Sequence, residues 1–321
     1  MSNVLVTGAL GTIGRHLVHE LRSRKHEVWL LDLRHYHDDQ YFRCDIRSYR
    51  QLERVFTTQK FDYVYHLAAE FGRWNGEDFY DTLWSSNVIG TKNILRWQER
   101  LGFKMIFASS SEVYGDYEGV MTEDVMNKYE IKQLNDYAMT KWVSEMQILN
   151  SAEMFDTETV RVRFFNTYGP GEFYSPYRSV NCLFCYRALH GIPYSVYIGH
   201  KRTSTYVIDA VFALANIADN FIPGEVYNIG GGEFHDIETL SNYVIKATGA
   251  DPSIATFKES EPFTTKLKHL DNSKAVKDLG FKVTVSLEEG VQRTADWMRE
   301  IYQVDDKVVI NTDVVSRNQT G

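Results

Sequence analysis

The sequence predicts an α/β fold: a doubly wound parallel sheet in the first half, followed by a smaller mixed α/β second half. Two observations carry this. Short β-branched or aromatic runs alternate with longer amphipathic stretches up to about residue 165, the rhythm that a parallel sheet with crossover helices requires. The first apolar run also ends in a glycine-punctuated turn, Thr7-Gly8-Ala9-Leu10-Gly11-Thr12-Ile13-Gly14, and an amphipathic stretch follows it.

The elements follow in order. Val4-Leu5-Val6 is a short apolar run closed by Gly8, so 4–7 reads as a strand and 13–22 as the helix that returns the chain. Strands over 28–32 and 63–67 flank a helix over 50–57. A helix over 84–101, a strand over 104–109, a helix over 137–150 and a strand over 158–165 complete the regular part. After Gly169-Pro170-Gly171 the pattern loosens into helices over 181–190 and 207–219, with a strand over 194–198 between them. The run 226–229, ahead of Gly230-Gly231-Gly232, reads as a strand placed to rejoin the sheet, and helices over 237–248, 273–279 and 287–301 finish the fold. The expected division is a dinucleotide-binding domain over 1–165 and a substrate domain over 166–303 with some segments returning to the sheet. The tail, 304–321, lacks periodicity and reads as a frayed end or an added edge strand.

Composition bounds the partners. Hydrophobic residues make up 43% of the 321 and charged residues 24%, the balance of a soluble globular protein. The 35 basic and 43 acidic residues leave a net charge of −8, which argues against nucleic acid or an anionic membrane as a partner reached by bulk electrostatics. A small anionic ligand stays open, since it needs only a few local cations and backbone amides. Three cysteines are too few for a disulfide framework, and with no signal peptide or membrane-length apolar run the expected location is the cytoplasm. Cys182 and Cys185 read as small apolar residues one turn apart on a buried helix face, and no metal site is expected. Asn318-Gln319-Thr320 fits a glycosylation acceptor, which has no meaning in a cytoplasmic chain.

Glycines at 8, 11 and 14 suit a tight turn, close approach of backbone to a pyrophosphate, and tight helix–strand packing. The helix that opens at Thr12 and Ile13 then offers unpaired N–H groups and a positive dipole end to the phosphates. Asp32 stands at the end of the second strand, eighteen residues after Gly14, where it can accept hydrogen bonds from the adenosine ribose. That context makes this a Rossmann-type dinucleotide site rather than a structural turn. Asp32 would repel a 2′-phosphate, so NAD is preferred to NADP; Arg34 either offsets that repulsion or is a solvated surface arginine.

The Gly-x-x-Gly-x-x-Gly spacing resembles the short-chain dehydrogenase/reductase superfamily, and the length and second half look like its extended branch, the nucleotide-sugar epimerases and dehydratases. The matching stretches fall in order: Asp45-Ile46, His66-Leu67-Ala68-Ala69, Asn87-Val88-Ile89-Gly90-Thr91, Ser109-Ser110-Ser111-Glu112-Val113-Tyr114-Gly115, Tyr137-Ala138-Met139-Thr140-Lys141, Arg163-Phe164-Phe165-Asn166-Thr167-Tyr168-Gly169-Pro170 and Asp271-Asn272-Ser273-Lys274-Ala275. The resemblance implies NAD as cofactor, with Asp45 and Ile46 at the adenine and Leu67, Ala68 and Ala69 lining its site. It implies a nucleotide-diphosphate-sugar substrate, with Asn166 and Arg202 toward the diphosphate, and a homodimer joined through the helices over 84–101 and 137–150. The family's second phosphate arginine has no clear equivalent, leaving Lys266 and Lys268 as the available cations. Asn87 reads equally as a site residue or as a capping or packing residue.

Tyr137 and Lys141 are four apart, so both lie on one face of a helix. A phenol with a pKa of about 10 is a poor base, and a nearby ammonium draws it down. Such a pair alone is usually an accident of amphipathicity; after a dinucleotide motif and a serine-rich strand end it reads as catalytic. By resemblance, Ser110 holds the reacting hydroxyl while Tyr137 takes its proton and hydride passes to the nicotinamide, giving a 4-keto-sugar. Glu112 marks dehydratases and uronic-acid decarboxylases rather than simple 4-epimerases, and Glu70 resembles the 4,6-dehydratases. Three departures stand against a plain assignment: Ser111 replaces an acid, Phe71-Gly72-Arg73-Trp74-Asn75-Gly76 replaces the usual continuation, and Gln133-Leu134-Asn135-Asp136 lacks the decarboxylases' basic residue. The expectation is a dehydratase-like reaction with Glu112 as base, then 4-epimerisation, then decarboxylation or 4-dehydrogenation. The bland reading of Glu112 is a carboxylate capping the next turn. A non-catalytic NAD-binding sensor is disfavoured because Tyr137, Lys141 and Ser110 are all present.

Overall fold

A computed structural model of the chain describes residues 1–304, so all of the expected tail but Val304, and the Asn318-Gln319-Thr320 acceptor, lie outside the described residues. Seven strands form one parallel sheet: β1 (Asn3–Thr7), β2 (Glu27–Asp32), β3 (Tyr41–Arg43), β4 (Tyr63–His66), β5 (Lys104–Ser110), β6 (Thr159–Phe164) and β7 (Val226–Ile229). Their order is β7-β6-β5-β4-β1-β2-β3. The chain therefore leaves β1 toward β2 on one side and reaches β4 on the other, and the crevice at this reversal is where open α/β sheets bind ligands. The strand at 226–229 does rejoin the sheet, pairing with β6 from Val226↔Arg161 to Ile229↔Phe164.

Crossover helices cover both faces: α1 (Thr12–Ser23), α2 (Tyr49–Thr58), α3 (Gly90–Leu101), α4 (Asp136–Phe155) and α5 (Val207–Asp219). Alternation along each strand sorts side chains between two cores. Val4, Val6, Tyr65 and Ile106 pack with Leu17 and Leu21 of α1 and Ala210 and Leu214 of α5. Leu5, Val64, Met105 and Phe107 pack on the other face with Leu52 and Phe56 of α2 and Ile94 and Leu95 of α3. A third core serves the second half, and Cys182 and Cys185 lie inside it as buried free thiols, the bland reading of that pair. Among the described residues no group of His, Cys, Asp and Glu could hold a metal ion, and no helix is long and apolar enough to cross a membrane.

Two elements depart from expectation. The helix expected over 84–101 is a short helix Tyr80–Trp84, a π-helical turn Ser85–Ile89, and then α3. The Asn87 side chain bonds both the amide and the carbonyl of Glu70, at 2.8 and 3.0 Å, and its own carbonyl accepts from Ser144 Oγ. Asn87 lies within this wider turn, the kind of single-turn π-bulge found inside α-helices. The helix Arg73–Asp78, within the stretch that departs from the family pattern, was not expected at all.

Glu145 ties α4 to the sheet. Fully buried, it accepts from Arg163 at 2.8 and 3.0 Å, from Arg161 at 3.3 Å and from Ser109 Oγ at 2.5 Å. This fixes α4, and the site residues on its first turns, against the ends of β5 and β6.

Candidate functional site

One cleft of about 800 Å³ at the reversal of strand order is lined by the residues expected to bind the cofactor, to catalyse and to bind substrate, while Asn87, Lys266 and Lys268 are not in its lining. At its dinucleotide end, Gly8 has φ +68°, and a Cβ there would lie 2.8 Å from the Ala68 amide nitrogen. A Cβ on Gly14 would come within 2.2 Å of the Gly8 carbonyl oxygen, so only glycine lets α1 seat this close to β1. Helix α1 starts at Gly11 with no side-chain cap, which leaves the first-turn N–H groups beside Thr12 and Ile13 suited to an anion.

The Asp32 carboxylate is held in place by the amides of Leu10 (3.0 Å), Leu33 (2.8 Å) and Arg34 (3.3 Å). Arg34 is half-exposed, but its Nε lies 3.5 Å from Asp32 and its guanidinium also bonds the Leu10 carbonyl, so it is more than a free surface arginine. The hydrogen-bonded Arg47 guanidinium, 2.7 Å from Asp45, holds that carboxyl below the usual range. Ile46 packs where a Cβ on Gly90 would fall, 2.6 Å from its Cδ1. Thr7 Oγ1 accepts from the Ala68 amide at 3.1 Å and bonds His66 Nδ1 at 2.9 Å. Burial pushes His66 down to about 3, so it serves as a neutral tie holding the Leu67-Ala68-Ala69 loop. These residues fit a dinucleotide: a glycine cradle that any Cβ would fill, a helix start for its phosphates and a fixed carboxylate for its ribose.

At the other end, Asn135 caps α4 by accepting from the Ala138 amide at 2.7 Å, which places Tyr137 in the first turn and Lys141 one turn on. Ser110 ends β5, accepts from the Glu112 amide at 3.2 Å and acts to lower the Tyr137 phenol. Burial pushes the phenol up to about 12 against the lowering effect of Ser110. Lys141 donates to the Ala108 carbonyl at 2.7 Å, and its Nζ stands 6.0 Å from the Tyr137 ring centre. Burial lowers Lys141 to about 8, partly offset by Glu145. The nearby ammonium is expected to draw the phenol down, whereas burial, with the charge of Glu112, leaves it raised.

Glu112 has a different setting from the one expected. It is not the cap of the following turn, a role Ser110 takes. Lys268 forms a short ion pair with its Oε1, and Asn135 Nδ2 is 3.4 Å from its Oε2. Burial opposes ionisation here, yet Lys268, Arg73 and Arg202 outweigh it and hold the carboxyl at about 2. Lys268 is therefore committed to Glu112 rather than free for phosphate, and Lys266 contributes its carbonyl to Arg202 at 2.8 Å. Arg202, lowered to about 10 mainly by burial, also donates to the Lys201 carbonyl at 2.9 Å and lies 3.9 Å from Glu261. Asn166, in the left-handed region at φ 38°, donates to the Thr203 carbonyl at 3.3 Å and lines the cleft. Asn87 also donates to Thr140 Oγ1 at 3.0 Å and is a packing residue.

Arg73 is a cleft-lining cation that the sequence reading did not single out. It pairs with Glu261 at 2.9 Å and lines the cleft beside Glu112. The signal was present in the unexpected run 71–76: Gly72 has φ +91°, and a Cβ there would lie 2.7 Å from the Tyr177 carbonyl oxygen. Three cations thus surround Glu112, with Arg73 and Arg202 lining the cleft and Lys268 buried behind it, and Glu261 adds a second carboxylate.

A glycine-cradled helix start, a fixed strand-end carboxylate and a Tyr–Lys–Ser cluster in one crevice define a dinucleotide-dependent enzyme of sugar or alcohol chemistry. The model of the NAD dependent epimerase/dehydratase family matches residues 4–230, and the chain belongs to that family. A UDP-N-acetyl-alpha-D-glucosaminuronate decarboxylase of Bacillus cytotoxicus is 32% identical over 314 residues, spanning 92% of this chain and 98% of the relative. The UDP-glucose 4-epimerase of Thermotoga maritima, solved with UDP-glucose, superposes with a TM-score of 0.84 at 27% identity, covering 94% of this chain and 99% of that one. MoeE5, solved with UDP-glucuronic acid and NAD, superposes at 0.82 with 29% identity, covering 93% and 99%. The chain is accordingly an enzyme of an NAD-dependent family whose members include nucleotide-sugar epimerases, dehydratases and decarboxylases.

Proposed function

We propose that the chain oxidises a nucleotide-diphosphate-sugar at C4 and that the sugar is a uronic acid, which loses carbon dioxide at the 4-keto stage. The observation that carries this reading is the state of Glu112. A carboxyl held at about 2 by a bound lysine and two guanidinium groups is a weak base, ill suited to the C5–H removal that dehydration needs. Arg73, which lines the cleft beside Glu112, suits an additional anionic group on the substrate. The basic residue that decarboxylases carry before the tyrosine, absent from 133–136, has a counterpart in Lys268, which reaches Glu112 from the second half. The Bacillus cytotoxicus relative and the UDP-glucuronic acid bound to MoeE5 support a carboxylated sugar.

The glycine cradle of Gly8, Gly11 and Gly14, the α1 amides of Thr12 and Ile13, Asp32, Asp45, Ile46 and the Leu67-Ala68-Ala69 loop would hold NAD. NAD, when bound, would supply the acceptor and later the donor of the C4 hydride. Lys141, charged below about pH 8, would draw Tyr137 down from the value that burial sets. Tyr137 then takes the C4 hydroxyl proton while Ser110 bonds the same oxygen. With a ketone at C4 the uronic acid is a β-keto acid: the C5–C6 bond breaks, carbon dioxide leaves, and the electron pair moves to the C4 oxygen. Ser110 and the Tyr137 hydroxyl stabilise that oxygen, and C5 takes a proton from solvent. Arg73 orients the carboxylate, Lys268 keeps Glu112 ionised, and Asn166 and Arg202 serve the diphosphate.

Incubation with NAD and UDP-N-acetylglucosaminuronic acid labelled with carbon-13 at C6 should release the label as carbon dioxide. Label retained in every product would overturn the reading. The same reading takes the enzyme to be a homodimer joined through α3, its preceding π turn, and α4, which leave Ile89, Leu101, Met139, Met146 and Leu149 exposed. A monomer by light scattering at micromolar concentration would contradict it.

A further inference from the structure

Glu261 stands on both guanidinium groups that the reading above gives to the substrate. Its Oε1 lies 2.9 Å from Arg73 Nη2, and its Oε2 lies 3.9 Å from Arg202 Nη2. Arg73, Arg202 and Glu261 all line the cleft, so a substrate that brings a carboxylate to Arg73 must share that cation with Glu261 or displace it. Sharing sets two carboxylates side by side near Glu112, which like-charge repulsion opposes. Leaving Arg73 with no counter-ion is also costly, because its side chain is only 20% exposed.

The surroundings let the Glu261 side chain turn while its backbone stays. The Glu261 amide donates to His200 Nε2 at 3.3 Å, and Asn135 Nδ2 donates to the Phe263 carbonyl at 3.1 Å. Arg73 Nη1 donates to the Pro262 carbonyl at 3.4 Å, and the Trp74 ring meets the Phe263 ring edge-on at 5.5 Å. The segment is thus pinned by groups other than the Glu261 carboxylate. Glu259, Ser260 and Pro262 are exposed, so water lies close by to receive that carboxylate. Glu112 has no such freedom, since it is tied to the buried Lys268.

We propose that Glu261 is an exchangeable counter-ion for Arg73: it holds the place on that guanidinium that the substrate's carboxylate takes, and it turns to water as the acid arrives. This rests on the reading that the sugar is a uronic acid. Arg73 is then paired throughout a cycle, with the acid before carbon dioxide leaves and with Glu261 afterwards, since the pentose product has no charge there. The nucleotide tether gives the sugar's carboxylate a high local concentration at Arg73, an advantage that a free carboxylic acid in solution lacks. Glu261 acts through Arg73, so it is a positioning residue: it screens the cation from loose anions and favours release of product.

The test is equilibrium titration of UDP-glucuronic acid and UDP-glucose into Tyr137→Phe protein with NAD, where the sugars are not consumed, and into the same protein carrying Glu261→Gln, Arg73→Met or both. Glu261→Asp, which keeps the charge but retracts it, is the second variant, and the thermal midpoint reports folding. Any gain through Arg202 is common to both ligands and cancels in their affinity ratio. Glu261→Gln should raise the preference for the acid by about tenfold, the worth of one charge-assisted contact, and Glu261→Asp by less. With Arg73→Met present, Glu261→Gln should no longer move the ratio. A ratio unchanged or lowered in folded Glu261→Gln and Glu261→Asp would overturn the proposal, and so would a rise that persists with Arg73→Met. Full retention of the carbon-13 label by the wild type would overturn the uronic-acid reading and the exchange with it. Release of the label with an unmoved ratio would overturn the exchange alone.

Discussion

Replacing Lys268 with Met removes the largest single charge acting on Glu112 while keeping a long apolar stem. Glu112 stands at about 2 against an ordinary 4.5, a preference for the carboxylate worth about 3 kcal/mol at 1.36 kcal/mol per unit. Lys268 is displaced the other way: burial and the like charges of Arg202 and Arg73 outweigh Glu112 and lower it from 10.5 to about 8, an opposing term of about 3 kcal/mol. The two offset each other near neutrality, as expected for a buried pair whose desolvation rivals its attraction. The Glu112 share of stability is present above pH 4.5 and lost as pH falls toward 2; the Lys268 penalty is full below about 8 and fades as pH rises toward 10.5. The pair therefore serves the site rather than the fold. In Lys268→Met, burial meets only Arg73 and Arg202, and Glu112 should rise by roughly two units or more. Carbon-13 NMR of labelled glutamate carboxyls, with Glu112→Gln to assign the signal, reads this directly. A Glu112 that still titrates near 2 in the variant would refute the argument that Lys268 suppresses its basicity.

Three further outcomes follow from the geometry. Tyr137→Phe should lower turnover by about 10²- to 10⁴-fold with NAD affinity intact in a titration, because the phenol acts on substrate and not on the cradle. Asp32→Ala should weaken NAD and narrow its advantage over NADP, measured as paired dissociation constants, since Arg34 remains beside the 2′ position. Glu145→Gln strands two guanidinium groups, Arg161 and Arg163, in the interior, and urea unfolding should show a loss of about 3–5 kcal/mol.

Much of the architecture was legible because it follows from periodicity and punctuation. Alternating Val4, Leu5 and Val6 told of a strand buried on both faces, and the Gly8–Gly14 run marked a strand-to-helix turn whose crowding leaves no room for a Cβ. Short or irregular elements escaped: β3 is only three residues long, and the π turn over Ser85–Ile89 depends on contacts of Asn87 with Glu70 and Ser144, far apart in sequence. At the site, residue types told which side chains matter but not their charge environment. Tyr137 and Lys141 lay on one face as expected, yet how deeply each is desolvated depends on packing that no spacing encodes. The partner of Glu112 comes from 156 residues away, and Arg73 from a run with no family pattern to read. Those two contacts move the favoured chemistry from dehydration toward decarboxylation.

The central claim is the product, and one measurement addresses it: proton NMR in deuterated water of the enzyme with NAD and, in parallel, UDP-glucuronic acid, UDP-N-acetylglucosaminuronic acid and UDP-glucose. A nucleotide-linked pentose should form from an acidic sugar, with C6 gone and deuterium at C5, and UDP-glucose should change little. A C6 methyl group formed from UDP-glucose with deuterium uptake would restore Glu112 as the base of a dehydratase. Inversion of a ring coupling with C6 retained and no deuterium would mean 4-epimerisation, and either result would contradict the account.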